Sequence, residues 1–255
     1  MYSARSRSIG TLARVFGTKY RAAVHRTAPY ILVMAGLLVV IVIASALWVA
    51  MSRQAQAGIL PPAARDAIQR AGGHRANLGI PPPGLATEIL LNNVSVAFLA
   101  FAFGITLGIG TIWVVVQNAL LLGVLAGAFQ AAGHGAGFWA LILPHGVLEL
   151  TAICIAAGAG LRIGWSIVAP GDRPRGSALA EEARDAVLVV VGVVPAFGIA
   201  AIVEAFVTGT SIPVAAQLAL GATLAAGYVL FLFGWRRSPR TLPPRHSRPA
   251  DLMRR

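Results

Sequence analysis

"ILLNNVSVAFLAFAFGITLGIGTIWVVVQNALLLGVLAGAFQAA", residues 89–132, decides the fold. No Asp, Glu, Lys or Arg occurs from Ile89 to Leu148. So long an uncharged run belongs in hydrocarbon, where one crossing takes about 20 helical residues. Residues 93–132 must then cross twice. The most polar interruption, Val116-Gln117-Asn118, places the turn, with spans at 93–114 and 118–133. Gly104 and Gly108 in the first, and Gly123 and Gly127 in the second, stand at a spacing that lets helices approach closely.

The rest of the 255 residues extends the same pattern. The chain is 57% hydrophobic and 12% charged, about half the charge of an ordinary soluble domain; its mean hydropathy is +0.74. Residues 29–51 form a first span, too long for the apolar region of a cleaved signal. The proline-rich loop 52–87 follows, with a short helix at 61–70 after a proline start. That helix has a modest apolar face (Ala63, Ala67, Ile68), suited to lying on the membrane surface. Further spans fall at 138–163, 187–208 and 213–234, with a charged loop at 169–186. The expected fold is all-α, a polytopic transmembrane bundle of about six spans (29–235) between basic tails at 1–28 and 236–255.

Charge placement orients it. With both termini and the 164–186 loop on the cytoplasmic side, 17 Lys/Arg lie inside, Arg162 at their edge, and four outside: Arg53, Arg65, Arg70 and Arg75. That asymmetry follows the positive-inside rule. The net charge of +12 resides mostly in the tails that flank spans. Anionic lipid headgroups, not nucleic acid, are its expected partner. The single cysteine, Cys154, has no disulfide partner and reads as a small packing residue.

Ionisable side chains inside spans are costly and mark candidate sites. His145 and Glu149 are four apart, on one helix face. Pro144 before them removes a backbone donor and should kink the helix, and Gly146 lets a neighbour come close. Candidate partners are Glu88, Asn92 and Asn93 at the start of the second span, Gln117 and Asn118 at the third, and Glu204 in the fifth. Since His145 and the start of the second span should share the outer half of the membrane, the span-two group is favoured. Such a network either holds the helices together or lines a pathway.

Enzyme signatures are missing from the sequence. There is no H-E-x-x-H pair for a metal, no serine in a sharp glycine turn, and no phosphate-cradling G-x-x-x-x-G-K-[ST] loop. No catalytic residue, metal or cofactor is expected.

"EILLNNVSVAFLAFAFGITLGIGTIWVVVQNALLLG" (88–123) and "LPHGVLELTAICIAAGAGLRIG" (143–164) together resemble the stage II sporulation protein M family of bacterial and archaeal integral membrane proteins. The second stretch is the more specific, and Ala119 departs from the glycine expected there. The resemblance extends over about 88–235. It implies a multi-pass protein of the cytoplasmic membrane that acts as a scaffold for membrane or envelope partners, cell-wall-modifying enzymes among them, without being a hydrolase itself. Homo-oligomers are compatible with it. The competing expectation is a transporter or permease component with His145, Glu149 and Glu204 along its path.

Overall fold

The computed structural model describes residues 2–71, 82–207 and 212–234, which are helical with short connections and contain no strand. The C-terminal basic tail lies outside the described residues, as do 72–81 of the first loop. The helices are α1 (Tyr2–Met51), α2 (Arg53–Ile59), α3 (Pro62–Ala71), α4 (Pro82–Ala102), α5 (Ile109–Ala131), α6 (Gly135–Val168), α7 (Arg175–Phe206) and α8 (Val214–Phe233). A single 3-10 turn, Phe103–Ile105, follows α4. Five helices, α1 from Phe16 onward and α5 to α8, are long and apolar enough to cross a membrane. The apolar part of α4, Leu90–Ile105, is shorter. The chain is an all-α, polytopic membrane bundle.

Helix α6 is the hub, packing against α1, α4, α5, α7 and α8. Its sequence allows this. Every residue from Ala152 to Gly160 is buried, and apart from Ile153, Cys154 and Ile155 all are Ala or Gly, so backbones close in from all sides. Outward-facing positions carry large apolar groups such as Leu32, Val40, Trp48, Trp113 and Leu230, the arrangement a lipid solvent permits. One end of the bundle is capped by α2 and α3. Ser52 starts α2 by accepting from the Ala55 amide, and Leu60 and Ile68 pack against Val49 and Ala128. Ile68 is thus held by the bundle, while Ala63 and Ala67 stay exposed, so α3 is a cap on α5 and not an unattached surface helix.

The first hairpin departs from the sequence expectation. The turn is not at 116–118, where α5 runs unbroken. It lies at Thr106–Leu107–Gly108, where Leu107 (φ 60°) and Gly108 (φ 83°) take left-handed conformations. Gly108 supports this without a Cβ penalty, whereas Leu107 bears a cost of about 1–2 kcal/mol. The turn satisfies its own polar groups, as hydrocarbon requires. The Gly108 amide donates to the Gly104 carbonyl at 3.0 Å, and the Gly110 amide to Thr106 Oγ1 at 2.9 Å. Across the hairpin, Thr111 Oγ1 donates to the Ala100 carbonyl at 2.7 Å.

Glycine spacing therefore serves two purposes. Gly123 and Gly127 seat α5 on α1 at Val42, Ser45 and Ala46. Gly104 and Gly108, on either side of the turn, dock instead on Gly160, Leu161 and Gly164 of α6. Helix α8 falls within its expected 213–234, whereas other helices begin or end outside their expected bounds. Helix α1 runs back from the first span to Tyr2, and α7 begins at Arg175, so most of the charged 169–186 segment is helix. Helix α6 continues through Pro144. That proline meets α8, where a Cβ on Gly221 would lie 2.5 Å from the Pro144 carbonyl oxygen.

Candidate functional site: a buried acid–histidine cluster

Near the capped end, two helices bring ionisable groups to one place and a third, α4, adds an amide. His145 lies in the first third of α6, Glu149 one turn on, and Glu204 just before the end of α7. The antiparallel run of α6 and α7 sets their level. His145 Nδ1 stands 2.7 Å from Glu204 Oε2. Glu149 is hydrogen-bonded to the Asn93 side chain of α4 and lies within electrostatic reach of both His145 and Glu204. All three ionisable residues are at least nine-tenths buried. One oxygen of Glu149, Oε1, is buried without a hydrogen-bond partner. On α8, Gln217 is also buried and donates to the Ile212 carbonyl at 2.8 Å.

The other candidates fall elsewhere. Glu88 and Asn92 are exposed; on a helix, adjacent positions diverge by about 100°, so Asn93 points inward where Asn92 cannot. Of the favoured span-two group, only Asn93 joins, and the short contact of His145 is with Glu204. Asn118 donates to the Val114 carbonyl of its own helix at 2.8 Å, and Gln117 is exposed. Pro144 and Gly146 are buried beside His145. Among the described residues, no group of three His, Cys, Asp or Glu side chains could hold a metal ion.

A second cluster, at the opposite end, was not singled out in the sequence. Arg162 of α6 pairs with Glu182 of α7, reaches Asp185 at 3.5 Å, and donates to Thr27 Oγ1 of α1 at 3.1 Å. Arg26 grips Asp185 with two hydrogen bonds of 2.8 Å. At its edge, Arg173 pairs with Glu181 at 2.6 Å, a hydrogen bond that raises its already high pKa, and stands 3.6 Å from Glu182. Two of the basic residues read as lipid anchors are thus engaged by protein, Arg26 as above and Arg21 over the Phe231 ring at 5.7 Å. The visible signal was Glu182 and Asp185, three apart on one helix face.

Between α4 and α7 lies a cavity of about 250 Å³, lined by residues such as Val94, Phe98, Phe101, Val187, Val191 and Phe197. Every lining side chain is apolar.

Comparison with known proteins adds the lineage. An uncharacterized protein of Methanocaldococcus jannaschii is 38% identical over 81 residues, which cover 31% of this chain and 46% of that protein. The chain thus spans less than half the length of that relative. No solved structure matches the chain. The family model for stage II sporulation protein M matches residues 30–209, which take in the buried cluster, the apolar hairpin and, of the ionic latch at the opposite end, Arg162, Glu182 and Asp185. This chain belongs to the stage II sporulation protein M family.

Proposed function

We propose that this chain is a non-catalytic scaffold of the cytoplasmic membrane, crossing it six times with both termini in the cytoplasm. In this reading it holds membrane or envelope partners, cell-wall-modifying enzymes among them, by their transmembrane segments. The capped end faces outward and the Arg162 end inward. The observation that carries the reading is the cavity between α4 and α7, which is apolar throughout and whose lining includes the exposed side chains of Phe98, Val187 and Val191. Such a surface suits an apolar helix and cannot conduct a polar solute. The polar side chains at the centre are instead turned on one another and shielded: His145 is 7% and Glu204 8% exposed.

Copurification in mild detergent, followed by identification of the retained proteins, tests this. Val191, 53% exposed in the groove, offers a variant. Val191→Trp fills the groove and should release the partner without lowering the melting temperature. An unchanged set of retained proteins would count against the groove as the docking surface. The second reading, a transporter component, draws on the charged groups of the buried cluster; flux through reconstituted protein that Glu204→Gln abolishes would favour it.

A further inference from the structure

Buried charge must balance. Among the described side chains, two carboxylates (Glu149, Glu204) and one imidazole (His145) face one another near the capped end. Asn93 from α4, which hydrogen-bonds Glu149, is a neutral amide, as is Gln217, buried on α8, and the acid of α4, Glu88, is exposed. Even with the imidazole charged, two carboxylates would leave one negative charge over. An uncompensated carboxylate in such surroundings is disfavoured far more strongly than any neutral alternative. The geometry says which carboxylate is in deficit. Glu204 stands against His145, whereas Glu149 Oε1 is buried and faces no donor. The residue is only 8% exposed, so water offers no general remedy.

We infer that Glu149 is a proton-binding site: the cluster takes one exchangeable proton from solution and carries it on the oxygen that faces no donor. A metal ion would be the other source of a positive charge, but no three ligating side chains are arranged for one. Asn93 orients the carboxyl group by its hydrogen bond, and His145 Nδ1 stays against Glu204 beside it. The three helices that meet here therefore share a closure that depends on one proton, whether the chain acts as a scaffold or as a transporter.

The sign of the effect is fixed. A group that binds its proton more tightly in the folded than in the unfolded state stabilises at low pH, and loses that contribution as pH rises. Thermal unfolding of the full chain in mild detergent, from mildly acidic to mildly alkaline pH, reads it. The wild type should show a falling melting temperature as pH rises. Glu149→Gln, which keeps the shape and cannot lose a proton, should lack this component and match or exceed the wild type at alkaline pH. Exchanging sodium for choline at constant ionic strength should change nothing. The wild type alone supplies a second readout, reaction with a bilayer-permeant carbodiimide. The carboxylic proton moves to a carbodiimide nitrogen, the carboxylate oxygen adds to the central carbon, and rearrangement leaves an N-acylurea. Mass spectrometry should find that adduct on Glu149, declining with pH, and not on Glu204. A Glu149→Gln profile parallel to the wild type, a sodium-dependent stability, or an unmodified Glu149 would each overturn the assignment.

Discussion

Glycine at 160 lies where three backbones converge. A Cβ there would collide with the Ala100 carbonyl and come within 2.8 Å of Thr111 Oγ1, the hydroxyl that ties α5 to α4. Neither neighbour can yield without opening the hairpin. Gly198 in α7 has nothing within 4 Å of its would-be Cβ. Gly160→Val should therefore destabilise by about 1–3 kcal/mol, the usual cost of overpacking. Gly198→Ala should be neutral or stabilising by up to about 1 kcal/mol, since alanine suits a helix interior better. Equilibrium unfolding in detergent distinguishes them; equal losses would mean that backbone contact at Gly160 is not what closes α4 and α5 onto α6. At this scale the sequence disclosed the His145/Glu149 pair, because a four-residue interval on a helix is a local fact. It could not disclose that Glu204 answers His145, or that Asn93 and not Asn92 faces inward. Those depend on how α4 and α7 are rotated about their axes, which distant contacts decide.

Elements tell a similar story. The existence of the α4–α5 hairpin followed from length alone, since no single helix can use so many uncharged residues in one crossing. Its turn did not. Gln117 and Asn118 look like a boundary, yet Asn118 satisfies itself on its own helix. The true break is fixed by the left-handed Gly108 and by the glycines of α6 on which the turn rests. Helices α1, α6 and α7 are joined at the far end by Arg162, whose side chain is 14% exposed and whose partners Glu182 and Asp185 both lie on α7. Arg162→Ala would deprive the shielded Glu182 of its short-range cation, while Asp185 keeps Arg26, and should cost about 3 kcal/mol, with little response to salt. Arg173→Ala, which removes an exposed pair and a longer 3.6 Å contact with Glu182, should lower the melting temperature far less. Similar behaviour of the two would show that the latch is a surface feature.

For the whole molecule, the crossing count is the claim on which the rest depends. Five helices qualify as spans by length and apolarity, and α4, with its shorter apolar stretch, is the proposed sixth. If α4 crosses, the chain returns to its starting side, 17 basic residues lie in the cytoplasm against four outside, and the buried cluster sits in the outer half of the bilayer. If α4 fails to cross, the two termini part company and the charge bias is lost. Reporter fusions at Arg65, at Gly171 and at the C-terminus measure this directly. The account predicts an external signal at Arg65 and cytoplasmic signals at Gly171 and the C-terminus. A C-terminus opposite to the N-terminus, or an external Gly171, would contradict it.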